Sequence, residues 1–432
     1  MYWLYSALLA AALLLTLPYW IWQRLRHGKY GKGLAERLGR IPATLVADSR
    51  PAVWVHAVSV GEVLAVSGLI TELKRHFPRH RVVVSTTTDS GQKLARERFG
   101  EENVFYFPLD FAFAIRPYLR LLGPALIVIA ETEFWPAFLQ LAHESGVRIA
   151  VVNARISDRS WPGYRRFRWI LKRILPHVDL FLAQTEEDAR RLAGIGAPTE
   201  RVKVSGNLKF DIATPAPPPL VMSLRPSLRT HEANPVLVCG STVEGEEPIL
   251  LEILDKILFG YPRAVMILAP RHPERFDQVA RLLVGRGMHF WRRSQWQNEP
   301  IVGGVLLLDT IGELTALYAL ADIAFVGGSL VPRGGHNILE PAQYGVPIVV
   351  GEHTENFRDI VELFRTRDAV RVAGPDNVAQ VLMDLISNPA ERAAMGNRAV
   401  ETLRSQMGAT QRTLAALQTL MQTSVELPVG QR

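Results

Sequence analysis

The sequence predicts an α/β protein of two Rossmann-like, parallel-sheet domains facing each other across a cleft, preceded by one N-terminal transmembrane helix. Three observations carry this. Short β-branched runs alternate with longer helical patterns through most of the 432 residues, a proline-dense stretch divides them into two series, and no residue from Tyr2 to Trp22 is charged. At about 150 residues per domain the length accommodates two or three domains.

Taken in order, residues 1–23 read as the anchor, because the 21 uncharged positions from Tyr2 to Trp22 would rise roughly 30 Å as a helix, the thickness of a bilayer core. Tyr2, Trp3 and Tyr5 at one end and Tyr19, Trp20 and Trp22 at the other fit an aromatic belt at two water interfaces. A cleaved signal peptide is the competing reading, and it lacks the basic leader and the small-residue flank it needs. Residues 24–50 form a basic juxtamembrane segment, whose stretch from Arg24 to Arg40 sets Arg24, Arg26, Lys29, Lys32, Arg37 and Arg40 against Glu36 alone. The positive-inside rule then puts everything after the anchor in the cytoplasm.

The first domain, 51–212, carries buried-strand runs at 52–58, 81–88, 125–131, 148–153 and 178–184. Near-continuous apolar strands separated by helices argue a parallel sheet covered on both faces. Residues 213–232, proline-dense at ATPAPPPLVMSLRPS, read as an extended connector. The second domain, 233–432, repeats the pattern at 235–241, 264–270, 304–310, 322–328 and 346–351. Ligands of such sheets lie beyond the carboxyl ends of the strands, so two facing domains place one substrate on each wall of a cleft.

Composition narrows the function classes. Hydrophobic residues at 48% and charged residues at 21% exclude a disordered or coiled-coil chain, and a single cysteine, Cys239, excludes an intrachain disulfide and a multi-cysteine metal site. The net charge of 49 − 42 = +7 admits acidic substrates, an anionic membrane or nucleic acid. Nucleic acid is disfavoured because the basic residues gather beside the anchor and in one helix, with no nucleic-acid motif.

Three clusters carry chemistry. In HAVSVGEV (56–63) a strand ends in Ser59 and Glu62 with a helix starting at once. Glu62 there is either a general base for a hydroxyl nucleophile, kept ionised by the helix N-terminus, or only a first-turn residue complementing the helix dipole. In AETEFWP (130–136), Glu131 and Glu133 share a side if the strand continues; they bind sugar hydroxyls, divide acid and base roles, or pair with basic residues at the rim. In the second half, Arg271 and His272 follow a strand, where a guanidinium can fork onto phosphate oxygens. The glycine-rich segment 325–342 adds Gly335 and Asn337 at a helix start, whose amides attract phosphate, and Glu340 on the same face as Asn337, for ribose hydroxyls or only as part of a cap, a reading the glycine density argues against as the whole story. No G-x-G-x-x-G, Walker A or Cys/His metal pattern occurs.

With WVHAVSVGE (54–62), ETEFWP (131–136), NARIS (153–157), GNLKFD (206–211), APRHPERF (269–276) and GGHNILEPA (334–342) in this order, the chain resembles the 3-deoxy-D-manno-octulosonic acid (Kdo) transferases of lipopolysaccharide biosynthesis, glycosyltransferase family 30. The resemblance covers nearly the whole chain, anchor included. It implies a GT-B glycosyltransferase at the cell inner membrane, passing the membrane once with its catalytic domains on the cytoplasmic side. The first domain would take the acceptor, the lipid A precursor lipid IVA, and the second the donor CMP-Kdo. Glu62 would be the general base, with Glu131 or Glu133 a second important acid. Donor binding would involve Arg271 and His272 with phosphate and cytidine, Ile311 and Gly312 near the base, and Gly335, Asn337 and Glu340 on phosphate and ribose. Lys209 or Ser241 is a candidate for the Kdo carboxylate. No cofactor and no metal is expected, because one departing phosphate can be met by Arg271 and backbone amides. The segment after Pro162 interleaves Arg165, Arg166 and Arg168 with aromatics, which fits a basic helix on anionic lipid or an ordinary surface helix with its aromatics inward. A UDP-sugar enzyme of the same fold and a membrane-anchored scaffold are the rival readings.

Overall fold

The computed structural model describes residues 2–27, 33–45, 48–211, 219–230 and 232–422. The chain divides into two compact units, Met1–Asp211 with Met407–Arg432, and Ile212–Gln406. In the first, the strands are β1 (Ala52–His56), β2 (Arg81–Thr86), β3 (Val104–Tyr106), β4 (Leu126–Ala130), β5 (Arg148–Ala154), β6 (Leu180–Ala183) and β7 (Val202–Val204). They pair in parallel in the order β3-β2-β1-β4-β5-β6-β7. Every residue of β1, β2 and β4 is buried, which explains why these strands read as unbroken apolar runs. One face packs an aromatic core of Trp54, Phe105, Phe107, Tyr118 and Phe138, with Trp54 and Phe138 edge to face at 5.0 Å. The other face is aliphatic, built from Val53, Val55, Val63, Leu69 and Leu73, and it includes Leu414 and Leu417.

Those last two residues come from the helix Ala409–Gln422, so the C-terminal segment from Met407 belongs to the first unit and not to a second domain running to residue 432. Asp211 fixes the start of that helix by accepting from the backbone N–H of Gly408 at 2.6 Å and of Thr410. An amphipathic helix declares that it covers a sheet without declaring which one.

The second unit holds β8 (Val236–Thr242), β9 (Val265–Pro270), β10 (Phe290–Arg292), β11 (Gly304–Leu307), β12 (Ile323–Val326), β13 (Ile348–Val350) and β14 (Val370–Val372). Its parallel order is β10-β11-β9-β8-β12-β13-β14. Strand order therefore reverses between β1 and β4 in one unit and between β8 and β12 in the other. In open α/β sheets such reversals are where ligands bind.

Two expectations need correction here, the connector and the place of Tyr5. Part of the supposed extended connector, Pro219–Thr230, is a helix that buries Leu220, Val221, Leu224 and Leu228 in the second unit; residues 212–218 lie outside the described residues. Helical spacing of apolar residues prevailed over proline content, with Pro219 at the first position, where its missing N–H is harmless. The N-terminal apolar stretch is a helix, Tyr2–His27, yet among the described residues no helix is long and apolar enough to cross a membrane. Tyr5, assigned above to the far water interface, instead packs on the first unit's core and donates its hydroxyl to Asp110 Oδ2 at 2.9 Å. A buried carboxylate is a better partner for a phenol than the edge of a bilayer.

Candidate active site

Glu62 sits beyond β1, in the first turn of the helix Val60–His76, beside the reversal point of the first sheet. Its Oε2 accepts from the N–H of Val58 at 2.8 Å and its Oε1 from the Ser59 hydroxyl at 3.0 Å, so the side chain ties the turn that enters its own helix. Only 8% of Glu62 is exposed. Burial pushes its carboxyl up to about 7, aided by the charges of Glu131 and Glu133, while the bonds from Val58 and Ser59 pull it down. The expectation that the helix N-terminus keeps it ionised is thus corrected, because desolvation outweighs the donors. A carboxyl poised near 7 is suited to taking a proton at neutral pH.

Two other motif residues form the bed of this turn. Trp54 Nε1 donates to Ser85 Oγ at 2.7 Å, and His56 Nδ1 lies 3.0 Å from the same oxygen with its ring stacked on Phe107. Complete burial drives His56 down to about 3, so it is neutral.

Glu131 and Glu133 reach the same edge from the end of β4, though not by continuing the strand. β4 stops at Ala130 and Glu131 adopts φ 59, a left-handed conformation that a non-glycine residue holds only under constraint. Burial, then the charge of Glu131, raises the Glu133 carboxyl. Lys209 Nζ lies 3.9 Å from Glu131 Oε1, so the first partner the structure gives this lysine is an acid of the same unit. Its loop is held by Asn153, also left-handed at φ 54, whose Oδ1 accepts from the N–H of Leu208 at 3.0 Å. The NARIS and GNLKFD segments are therefore joined through one side chain that sets where Lys209 stands.

In the second unit the candidate donor residues gather at the ends of β8, β9 and β12. Arg271 and His272 follow β9 and are exposed, and the Arg271 N–H donates to Thr242 O at 2.9 Å. Ser241, at the end of β8, takes φ 56. Gly335 has φ 73, and a Cβ there would come within 3.0 Å of His353 O. Asn337 Nδ2 approaches Glu340 Oε1 at 3.4 Å while Thr315 Oγ1 donates to Glu340 Oε2 at 2.8 Å. Burial raises the Glu340 carboxyl; Thr315, Asn337 and the nearby Arg271 charge oppose it. The expected placement of Asn337 and Glu340 on one face is what the structure has. The helix that follows is only Leu339–Ala342, too short to present a strong dipole, so the positive charge felt at Glu340 comes from Arg271.

Ile311 is 78% exposed, and Gly312 takes φ 88 beyond β11. Asp309 holds the base of their loop by accepting from Arg292 Nε at 2.7 Å and the Ser294 N–H at 2.8 Å. The basic segment is two short helices, Trp161–Arg166 and Arg168–Ile174, rather than one. Arg165, Arg166, Arg168, Phe167 and Trp169 point outward, whereas Trp161, Tyr164 and Ile170 pack on the core. Both readings of its aromatics are therefore partly realised.

Sequence reasoning missed His336 and Thr315. His336 lies against Gly328 with its Nε2 buried and unpartnered, and burial with the Arg271 and His272 charges lowers it to about 4. It stood in the GGHN segment already singled out, beside two residues that were chosen. Among the described residues no group of three or more His, Cys, Asp or Glu is arranged to hold a metal ion.

Residues 32–212 match the family model described as 3-deoxy-D-manno-octulosonic-acid transferase (kdotransferase). The chain is 33% identical over 406 residues to the 3-deoxy-D-manno-octulosonic acid transferase of Haemophilus influenzae, covering 93% of this chain and 94% of that one. It is 35% identical over 422 residues to the Bordetella pertussis enzyme of the same name, covering 92% and 95%. The solved UDP-GlcNAc 2-epimerase of Neisseria meningitidis superposes with a TM-score of 0.55 at 16% identity, covering 85% of this chain and all of that one, a likeness of fold alone.

Proposed function

The chain belongs to the 3-deoxy-D-manno-octulosonic acid transferase family of glycosyltransferases, and from that premise we propose that it moves Kdo from CMP-Kdo to lipid IVA with inversion at the anomeric carbon. The observation that carries the mechanism is the Glu62 carboxyl, buried beside the reversal point of its sheet and raised to about 7. In the transfer, an acceptor hydroxyl attacks the anomeric carbon and gives its proton to Glu62. The bond from that carbon to the phosphate oxygen breaks and its electron pair leaves on CMP. Arg271 stabilises the departing phosphate, and Glu340 takes ribose hydroxyls with the oxygen that Asn337 reaches only weakly, at 3.4 Å. Glu131 and Glu133 hold the acceptor sugar and, by their charge, keep Glu62 basic.

Attachment to the inner membrane is part of the same proposal. The helix Tyr2–His27 turns Leu8, Leu14 and Leu15 outward while Tyr5 faces the domain, and Phe167 and Trp169 stand exposed among the basic side chains. An apolar outward face of this kind suits a lipid surface, with Arg165, Arg166 and Arg168 on anionic headgroups.

Calorimetric titration of the purified protein tests the donor assignment. CMP should bind and UDP should bind at least about tenfold more weakly; equal binding, or preference for UDP, would point to a UDP-sugar enzyme on this fold.

A further inference from the structure

Two adjacent glutamates lie wholly buried at the start of the helix Glu246–Gly260, and the transfer chemistry uses neither. Glu246 Oε1 accepts from the backbone N–H of Ser329 and Leu330, both at 2.9 Å, and its Oε2 from Gly328 at 2.8 Å and Val243 at 3.0 Å. Four donors fill the lone-pair sites of one carboxylate, which leaves it nothing for a ligand. Its influence passes through the loop it holds. Gly328, at φ 71, accepts from the Gly335 N–H at 2.7 Å, and a Cβ on it would come 2.8 Å from the His336 ring. Ser329 Oγ donates to Val326 O at 2.6 Å and accepts from the Gly351 N–H at 2.8 Å. The segment bearing Gly335, His336 and Asn337 is thus registered to Glu246.

Glu247 does the equivalent for the neighbouring strand ends. Its carboxylate meets Arg275 in a two-pronged pair, Nη1 to Oε1 at 2.5 Å and Nη2 to Oε2 at 3.1 Å, and Oε1 accepts from Thr242 Oγ1 at 3.0 Å. Thr242 in turn holds the Arg271 N–H through its carbonyl. Buried carboxylates are a costly way to fill a core, and apolar side chains would stabilise the same space at least as well.

We propose that Glu246 and Glu247 are the positioning residues of the donor site, one setting the loop that carries Gly335, Asn337 and Glu340 and the other setting the turn that carries Arg271. The inference rests on reading these strand ends as the CMP-Kdo site. The test compares parent, Glu246→Gln and Glu247→Gln in CMP titrations well below each unfolding temperature, with kcat and KM for CMP-Kdo. In Glu246→Gln, where an amide N–H must face backbone N–H donors, CMP affinity should fall about tenfold or more. KM should rise by a similar factor, while kcat at saturating donor changes by less than about threefold. A variant that unfolds earlier yet binds CMP within about twofold of the parent would mean the glutamates serve the fold alone, and would overturn the proposal. Should Glu246→Gln not fold, Glu247→Gln decides: the same KM shift supports the proposal and parental affinity overturns it. A parent that fails to bind CMP refutes the donor assignment instead, so the two failures are distinct.

Discussion

Replacing Glu62 by Gln removes a proton acceptor and an ionisation together, and the structure sizes both effects. Glutamine keeps the volume, can still accept from Val58 N–H, and can turn its amide to the Ser59 hydroxyl. It cannot take a proton from the acceptor, so the transfer rate should fall by about 10²- to 10⁴-fold. The stability effect has the opposite sign. Folding lifts the carboxyl from its ordinary 4.5 to about 7, so the folded state holds this proton more tightly than the unfolded chain does. The stability so contributed is complete below pH 4.5 and is lost as pH rises through about 7. At about 1.4 kcal/mol per pH unit the loss is roughly 3 kcal/mol. The glutamine variant, with nothing to ionise, escapes it. Scanning calorimetry should therefore show the unit containing Glu62 unfolding at a higher temperature in the variant than in the parent at pH 8, with the difference gone by about pH 4. The parent's kcat should rise with pH to a plateau above about 7, and the variant's residual rate should lack that limb. A variant that retains more than about a tenth of the parental rate, with the limb intact, would show that Glu62 is not the base.

Arg271→Ala and Glu340→Ala should each weaken CMP binding by about 1.5 to 3 kcal/mol, measured by calorimetry, while the unfolding temperature holds; unchanged affinity in both would mean the nucleotide lies elsewhere. Changing Arg165, Arg166 and Arg168 to Glu in a chain lacking residues 1 to 23 should release it from anionic liposomes at low salt, and co-sedimentation equal to its parent would remove these residues from the membrane surface. Tyr5→Phe leaves Asp110 with the N–H groups of Ala137 and Phe138 alone. It should destabilise the first unit by about 1 to 3 kcal/mol, and an unaltered unfolding temperature would mean that the N-terminal helix does not rest there.

The central strands could be read from the sequence because they are buried on both faces. The three-residue strands β3, β7, β10 and β14 could not, since so short a run has no periodicity to detect, whereas β13, equally short, lies inside the apolar run 346–351. At the candidate sites, the placement of Glu62, Asn337 and Glu340 was legible because each follows an apolar strand or a glycine turn closely. The left-handed turn at Glu131 was not, because the residue itself is an ordinary strand-end acid and the constraint comes from the rest of the fold. Glu246 was not legible, since three of the four amides that occupy it lie 82 to 84 positions further along the chain. The return of the C-terminal helix to the first unit depends on Asp211, a tie across 197 positions that no local window contains.

The central claim is transfer of Kdo from CMP-Kdo to lipid IVA, and the mass of the lipid product tests it most directly. Incubated with both substrates, the purified protein should convert lipid IVA to a species heavier by one or more whole Kdo residues and release one CMP for each. A lipid of unchanged mass, with CMP-Kdo intact and the same preparation shown to bind CMP, would contradict it.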